Sequence, residues 1–271
     1  MRHIIGRCPT VDFELSNRWK IVLVATGFNL LFEYSMRGVN NLLVQPVLPF
    51  ILFTAYFTYF TMLEDLIVRY RLKDYHLIVV SFFFGTVYVC LVSGAAFTPP
   101  LVLGVNWPSL LFVNLVWWGA LQAVLTFYIA NRVAQRDWNH PRLSKKGWAL
   151  MLLLNGAVVV LFQLSGYVPK GTVAGMVSMI IVLIATLIIF WRILPRDERI
   201  YVEFERSRLM DYLSVITVAV FAVCMFLVFD PTRLGASNVN LTAVRIVTVW
   251  TAILAVIMLA YRLYSKKEIP V

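Results

Sequence analysis

Glu33 is a carboxylate that stands inside a long apolar stretch of the sequence, about 20 Å along a helix that begins near residue 20. Asn29 and Arg37 lie one helical turn before and after it, so a helix presents all three side chains on one face. A charge inside a lipid bilayer is costly and needs a partner, and such residues commonly bind ions, protons or substrates. We therefore predict a substrate- or proton-binding cluster built on Glu33.

Polar residues from later apolar stretches extend this predicted cluster. Asn114, Trp118 and Gln122 follow one another at four-residue steps, which places them on one face of a helix. Gln163 and Arg245 lie in the same half of their own apolar stretches as the carboxylate does in its stretch. We predict that these side chains converge on one polar pocket. The alternative interpretation is that the amides only join neighbouring helices through hydrogen bonds.

A second polar group lies near the end of the next apolar stretch. Glu64 and Asp65 are adjacent, and Arg69 follows Asp65 by one helical turn. One interpretation is a gate or proton entry at the cytoplasmic edge of the membrane. The other is an Asp65–Arg69 pair that reaches water along the apolar stem of the arginine side chain.

The elements that must position these residues are eight apolar stretches of about 20 residues, the length that crosses a hydrocarbon core about 30 Å thick. Twenty of the 24 Lys and Arg residues fall in alternate connections between these stretches, and basic connections are retained in the cytoplasm. The pattern predicts an all-α, polytopic membrane protein: one bundle of eight transmembrane helices, a single domain over 1–271, with both termini cytoplasmic. The predicted spans are 20–42, 46–67, 76–97, 108–130, 148–168, 172–191, 211–229 and 241–261.

Composition excludes a soluble protein, because 61% of the residues are hydrophobic, only 14% are charged, and the mean hydropathy is +0.80. The net charge of +10 sits in short runs beside helix ends rather than on one soluble patch, so nucleic acid is not an expected partner. We expect membrane lipids as partners, with anionic head groups on the cytoplasmic side, and other membrane subunits or a second copy of the chain. The expected location is the cytoplasmic (inner) membrane.

Neither a metal site nor another cofactor is expected from the three cysteines and three histidines. Cys8, Cys90 and Cys224 have no ligand spacing, and the histidines fall at positions where they cannot pair at one depth of a bundle. The sequence also lacks the nucleophile, metal and phosphate motifs of common enzymes.

Two classes of function remain. The favoured one is a transport or channel-like component, or a membrane subunit of a larger envelope assembly, with the Glu33–Arg cluster in the outer half of the bundle. The alternative is an intramembrane enzyme that acts on a lipid or lipid-linked head group, with Glu33 as acid or base and Arg37 or Arg245 holding a phosphate. Because catalytic motifs are missing, the enzyme is the less favoured of these two classes, although the sequence leaves it open.

Overall fold

A computed structural model describes residues 15–139, 142–166, 168–194, 207–228 and 239–265. Most of these residues are helical and none of them forms a strand; a single isolated bridge joins Val102 and Val105. The long helices are α1 (Asn17–Arg37), α2 (Leu48–Tyr70), α3 (Asp74–Leu91), α4 (Trp107–Val133), α5 (Lys145–Leu164), α6 (Val173–Ile193), α7 (Arg208–Phe226) and α8 (Leu241–Ser265).

Seven of these helices, α2 to α8, are long and apolar enough to cross a membrane by length and composition. The chain is therefore a multi-pass membrane protein, as the sequence predicts. Helix α1 has a different composition, because Lys20, Asn29 and Glu33 interrupt its apolar sequence. We call the end of the bundle where α1 begins the Asn17 end, and the opposite end the Arg37 end.

The predicted boundaries differ from the structure most at the end of α1. The first span was predicted to reach residue 42, but the helix stops at Arg37. Gly38 adopts a positive φ of 79°, which residues with a Cβ rarely adopt, and its N–H closes the helix on the Tyr34 carbonyl. A single helical turn, Asn41–Val44, then leads into α2.

Helices α1 to α4 form the centre of the bundle, and the four later helices surround them. Helix α1 packs against α2, α4, α7 and α8, while α5 packs on α2 and α6 packs on α3. Most residues in the apolar segments of α2, α3 and α4 are buried inside the protein. In α5 to α8 only a minority of the residues in these segments is buried. Their outward faces are apolar, as lipid requires of a membrane-spanning surface.

Helix α4 is not a regular α-helix. Residues Val113–Leu125 form a π-helix, in which backbone bonds span five residues, between α-helical segments Trp107–Phe112 and Thr126–Val133. Gly85 of α3 lets this segment approach closely, since a Cβ there would lie 2.5 Å from the Asn114 side-chain oxygen. The sequence analysis did not predict the π-helix.

Candidate functional site

Glu33 stands at the centre of a hydrogen-bonded group that we call the Glu33 cluster: Glu33, Arg37, Tyr56 and Gln122. Arg37 Nε donates to Glu33 Oε2 over 3.3 Å, and the Tyr56 hydroxyl donates to Glu33 Oε1 over 2.7 Å. Gln122 Nε2 in turn donates to the Tyr56 hydroxyl over 3.2 Å. Glu33 and Arg37 are each 18% exposed, whereas Tyr56 and Gln122 are buried. The cluster therefore leads from the bundle surface into its core.

Two further amide side chains, Asn29 and Asn114, form hydrogen bonds to neighbouring helices. Asn29 Nδ2 donates to the Ala25 carbonyl over 2.9 Å and to the Thr126 hydroxyl over 3.1 Å, which joins α1 to α4. Asn114 Nδ2 donates to the Thr86 hydroxyl over 2.8 Å, which joins α4 to α3. These bonds agree with the joining role that the sequence left open for the amides.

The other predicted members of the pocket lie elsewhere. Trp118 is buried among the rings of Tyr59 and Tyr88, at centroid distances of 5.1 and 4.9 Å. Gln163 is exposed and donates to the Leu91 carbonyl. Arg245 is exposed on α8, and among the described residues no carboxylate pairs with it. The structure thus brings Glu33, Arg37 and Gln122 together, with Tyr56 as the link that the sequence analysis missed.

A second group, the Glu64 cluster, lies at the Asn17 end of α2 and α4 and comprises Glu64, Asp65, Arg18, Arg69 and Arg136. Arg136 Nε and Nη2 each donate to one oxygen of Glu64 over 2.9 Å, and both side chains are almost fully buried. The guanidinium of Arg136 also lies 5.4 Å from the ring centres of Phe127 and Trp138. This two-pronged geometry is the strongest form of arginine–carboxylate contact.

Asp65 binds the connection between α4 and α5. Its carboxylate accepts hydrogen bonds from the Leu143 backbone N–H over 2.6 Å, from Trp148 Nε1 over 2.9 Å and from Arg69 Nη2 over 2.8 Å. Arg18 Nη2 lies 3.9 Å away. The predicted Asp65–Arg69 pair is present, but the carboxylate is completely buried instead of reaching water, because the connection folds over it.

An aromatic layer separates the two clusters. Tyr56 and Glu64 both lie on α2, eight residues or about 12 Å apart. Between them the rings of Tyr59 and Phe60 are 4.8 Å apart, and Phe60 lies 5.7 Å from Phe127 of α4. All three rings are buried. In this structure the carboxylates of Glu64 and Asp65 are completely buried, whereas the Glu33 side chain is 18% exposed.

Asn155 of α5 is another polar residue that the sequence analysis did not select. Its Nδ2 donates to the Thr58 hydroxyl over 3.1 Å and to the Tyr88 hydroxyl over 2.7 Å, so it ties α5 to both α2 and α3. The sequence does indicate this residue, because Asn155 is an amide within an otherwise apolar stretch.

Within the described part of the chain, no three His, Cys, Asp or Glu side chains come together as they would to hold a metal ion. No family model matches the chain, and comparisons with curated proteins and with solved structures give no match.

Proposed function

We propose that the chain crosses the cytoplasmic membrane eight times, with both termini in the cytoplasm. Helix α1 supports this number, because α2, α4, α7 and α8 all pack against it and a helix among membrane-spanning neighbours must lie at their depth. Most of the described Lys and Arg residues lie at the Asn17 end, which is the expected cytoplasmic side and fits anionic head groups.

Epitope tags test this topology. Tags at the two termini of the full chain are expected to be protected from protease in intact spheroplasts and cleaved only after permeabilisation. Cleavage of one tag in intact spheroplasts would refute the proposed topology.

We propose further that the protein is a transport component in which Glu33 binds the transported or coupling cation. The observation that carries this proposal is a carboxylate of α1 that is 18% exposed and joined to the buried Gln122 through the Tyr56 hydroxyl. Hydroxyl and carboxylate groups can both accept and release a cation or a proton.

The two acid–arginine groups differ in a way that favours this role. The Glu64–Arg136 contact is two-pronged, short and sealed, as suits a fixed joint between α2 and the α4–α5 connection. Arg37 instead contacts Glu33 by one long bond of 3.3 Å, while short charged bonds measure about 2.7–2.9 Å. Arg37 is the last residue of α1, so its contact with Glu33 lies at the end of the helix. Glu33 is therefore the exchangeable carboxylate.

Flux through the reconstituted protein tests the transport role. Full-length protein in liposomes is expected to carry protons, measured with internal pyranine, or ²²Na⁺, and Glu33→Gln is expected to abolish the flux. Asp211→Asn is the matched control, because this carboxylate pairs with Arg132 at a partly exposed helix end. Absence of both fluxes in the wild-type protein, or full flux in Glu33→Gln, would refute the proposal.

A further inference from the structure

Within the part of the chain that the structure describes, two amide oxygens of residues linked to Glu33 are buried without a hydrogen-bond partner. They are Oε1 of Gln122 and Oδ1 of Asn29, and both side chains are at most 2% exposed. A buried acceptor that has lost water and gained no donor costs free energy. A pair of such acceptors next to a carboxylate therefore indicates a ligand that supplies positive charge or hydrogen-bond donors.

Both amides are fixed in the orientation that leaves their oxygens available. Asn29 must present Nδ2 to the Ala25 carbonyl, because a carbonyl can only accept. Gln122 must present Nε2 to the Tyr56 hydroxyl, because that hydroxyl already donates its proton to Glu33. Turning either amide over would set two acceptors against each other.

These oxygens belong to one seam between α1 and α4. Asn29 lies one turn before Glu33 on α1, and it is bonded to Thr126 of α4. Gln122 lies four residues before Thr126, within the π-helical segment, and is linked to Glu33 through Tyr56. The Asn29 oxygen thus lies one turn from Glu33 along α1, and the Gln122 side chain of α4 is joined to the same carboxylate through Tyr56 of α2. Irregular π segments occur frequently at functional sites.

We propose that this seam binds a small, hard monovalent cation, Na⁺, through the carboxylate of Glu33 and the side-chain oxygens of Gln122 and Asn29. The inference rests on the proposed role of Glu33 as a cation-binding carboxylate. Hard cations take carboxylate and amide oxygens as ligands. One carboxylate compensates one charge, so the site suits a monovalent ion.

Arg37 acts as the tethered competitor of this cation. In the structure the guanidinium of Arg37 neutralises Glu33 across the 3.3 Å contact. When Na⁺ enters, it takes over from Arg37 the neutralisation of Glu33, so one positive charge replaces another beside the carboxylate. This exchange predicts that removal of the arginine charge tightens cation binding.

The test is direct binding of ²²Na⁺ to the full-length protein in detergent, in a choline chloride background, with K⁺ and NH₄⁺ as competitors. Wild-type protein is expected to bind Na⁺ saturably. Gln122→Leu is expected to weaken binding by about tenfold or more, because a ligand to a charged group is lost, and Glu33→Gln is expected to abolish it. Arg37→Gln is expected to tighten binding severalfold, a gain that a misfolded variant cannot give.

Asn155→Leu is the matched control, since it removes a buried amide that lies outside the seam. It is expected to leave Na⁺ affinity unchanged even where it lowers the melting temperature. The proposal would be overturned if the wild-type protein did not bind Na⁺ saturably, or if Gln122→Leu left the affinity unchanged. It would also be overturned if Arg37→Gln did not tighten binding, or if K⁺ or NH₄⁺ competed more strongly than Na⁺ itself. Proton flux without Na⁺ binding would overturn this site alone, whereas Na⁺ binding without any flux would overturn the transport role alone.

Discussion

The sealed contact between Glu64 and Arg136 gives the sharpest prediction about stability. Arg136→Met removes both hydrogen bonds to a carboxylate that is completely buried. Breaking a buried pair from one side typically costs about 3–5 kcal/mol, because the remaining charge has lost its counter-ion inside a medium of low polarity. We expect Arg136→Met to lower the free energy of unfolding by that amount.

The double variant Glu64→Leu with Arg136→Met separates the cost of an unpaired charge from the value of the pair. Replacing both partners of a buried pair by apolar side chains is often close to neutral. We therefore expect the double variant to recover most of the loss, so that the two single changes are strongly non-additive.

Reversible unfolding in mixed micelles with increasing SDS, followed by tryptophan fluorescence, measures these differences. Arg132→Met is the matched control, because Arg132 pairs with Asp211 at a site where the two side chains are 37% and 36% exposed. Such exposed pairs contribute about 0–1 kcal/mol. If Arg136→Met costs no more than Arg132→Met, or if the double variant loses the sum of its single changes, the reasoning about the sealed pair is wrong.

Four further substitutions test the packing of the helices and the bonds of the two clusters. Gly85→Ala is expected to destabilise the protein by about 1–3 kcal/mol in the same unfolding assay, because its Cβ would lie 2.5 Å from Asn114 Oδ1. Gly156→Ala is the matched control: its Cβ would meet no atom within 4 Å, and the substitution is expected to stabilise the protein by about 0.4–1 kcal/mol. Tyr56→Phe removes the hydroxyl between the carboxylate and the α4 amide. It is expected to reduce cation flux about tenfold and to cost about 1.5–3 kcal/mol of stability, because a bond to a carboxylate is lost and the Gln122 amide loses its acceptor; full flux would contradict the link. Trp148→Phe removes the hydrogen bond from the indole N–H to the buried carboxylate of Asp65, and is expected to lower the free energy of unfolding by about 1.5–3 kcal/mol. The α4–α5 connection is then expected to be cleaved faster by protease, and an unchanged cleavage rate would contradict the anchoring role of Trp148.

The helices α2 to α8 were predictable from sequence because lipid demands long apolar runs, and the chain supplies seven of them. Helix ends were less predictable, since local backbone chemistry decides them. The first predicted span ran on to residue 42 because hydropathy continues past Arg37, yet Gly38 turns the chain there with a positive φ. Hydropathy averages over many residues and does not register one glycine.

Contacts along one helix were predictable, and contacts between helices were not. The spacing of Asn29, Glu33 and Arg37 follows from helical geometry alone, and the Glu33–Arg37 bond is present. Tyr56 is one of 12 tyrosines, and its contact with Glu33 depends on how α2 is rotated against α1. Arg136 is likewise one of five basic residues in its connection, and only packing selects it as the partner of a buried acid.

The π-helical segment of α4 explains how its polar face meets three other helices. In an α-helix each step of four residues advances about 40° beyond a full turn, so side chains at four-residue steps drift around the helix by about 120° over three steps. A π-helix holds more residues in each turn, which reduces this drift. Asn114, Gln122 and Thr126 consequently stay directed toward the bundle centre, where they bond to α3, to α2 and to α1 in turn. The irregular segment thus places the Gln122 amide against the Tyr56 hydroxyl, which donates to Glu33, and the transport and cation-binding proposals both depend on that link.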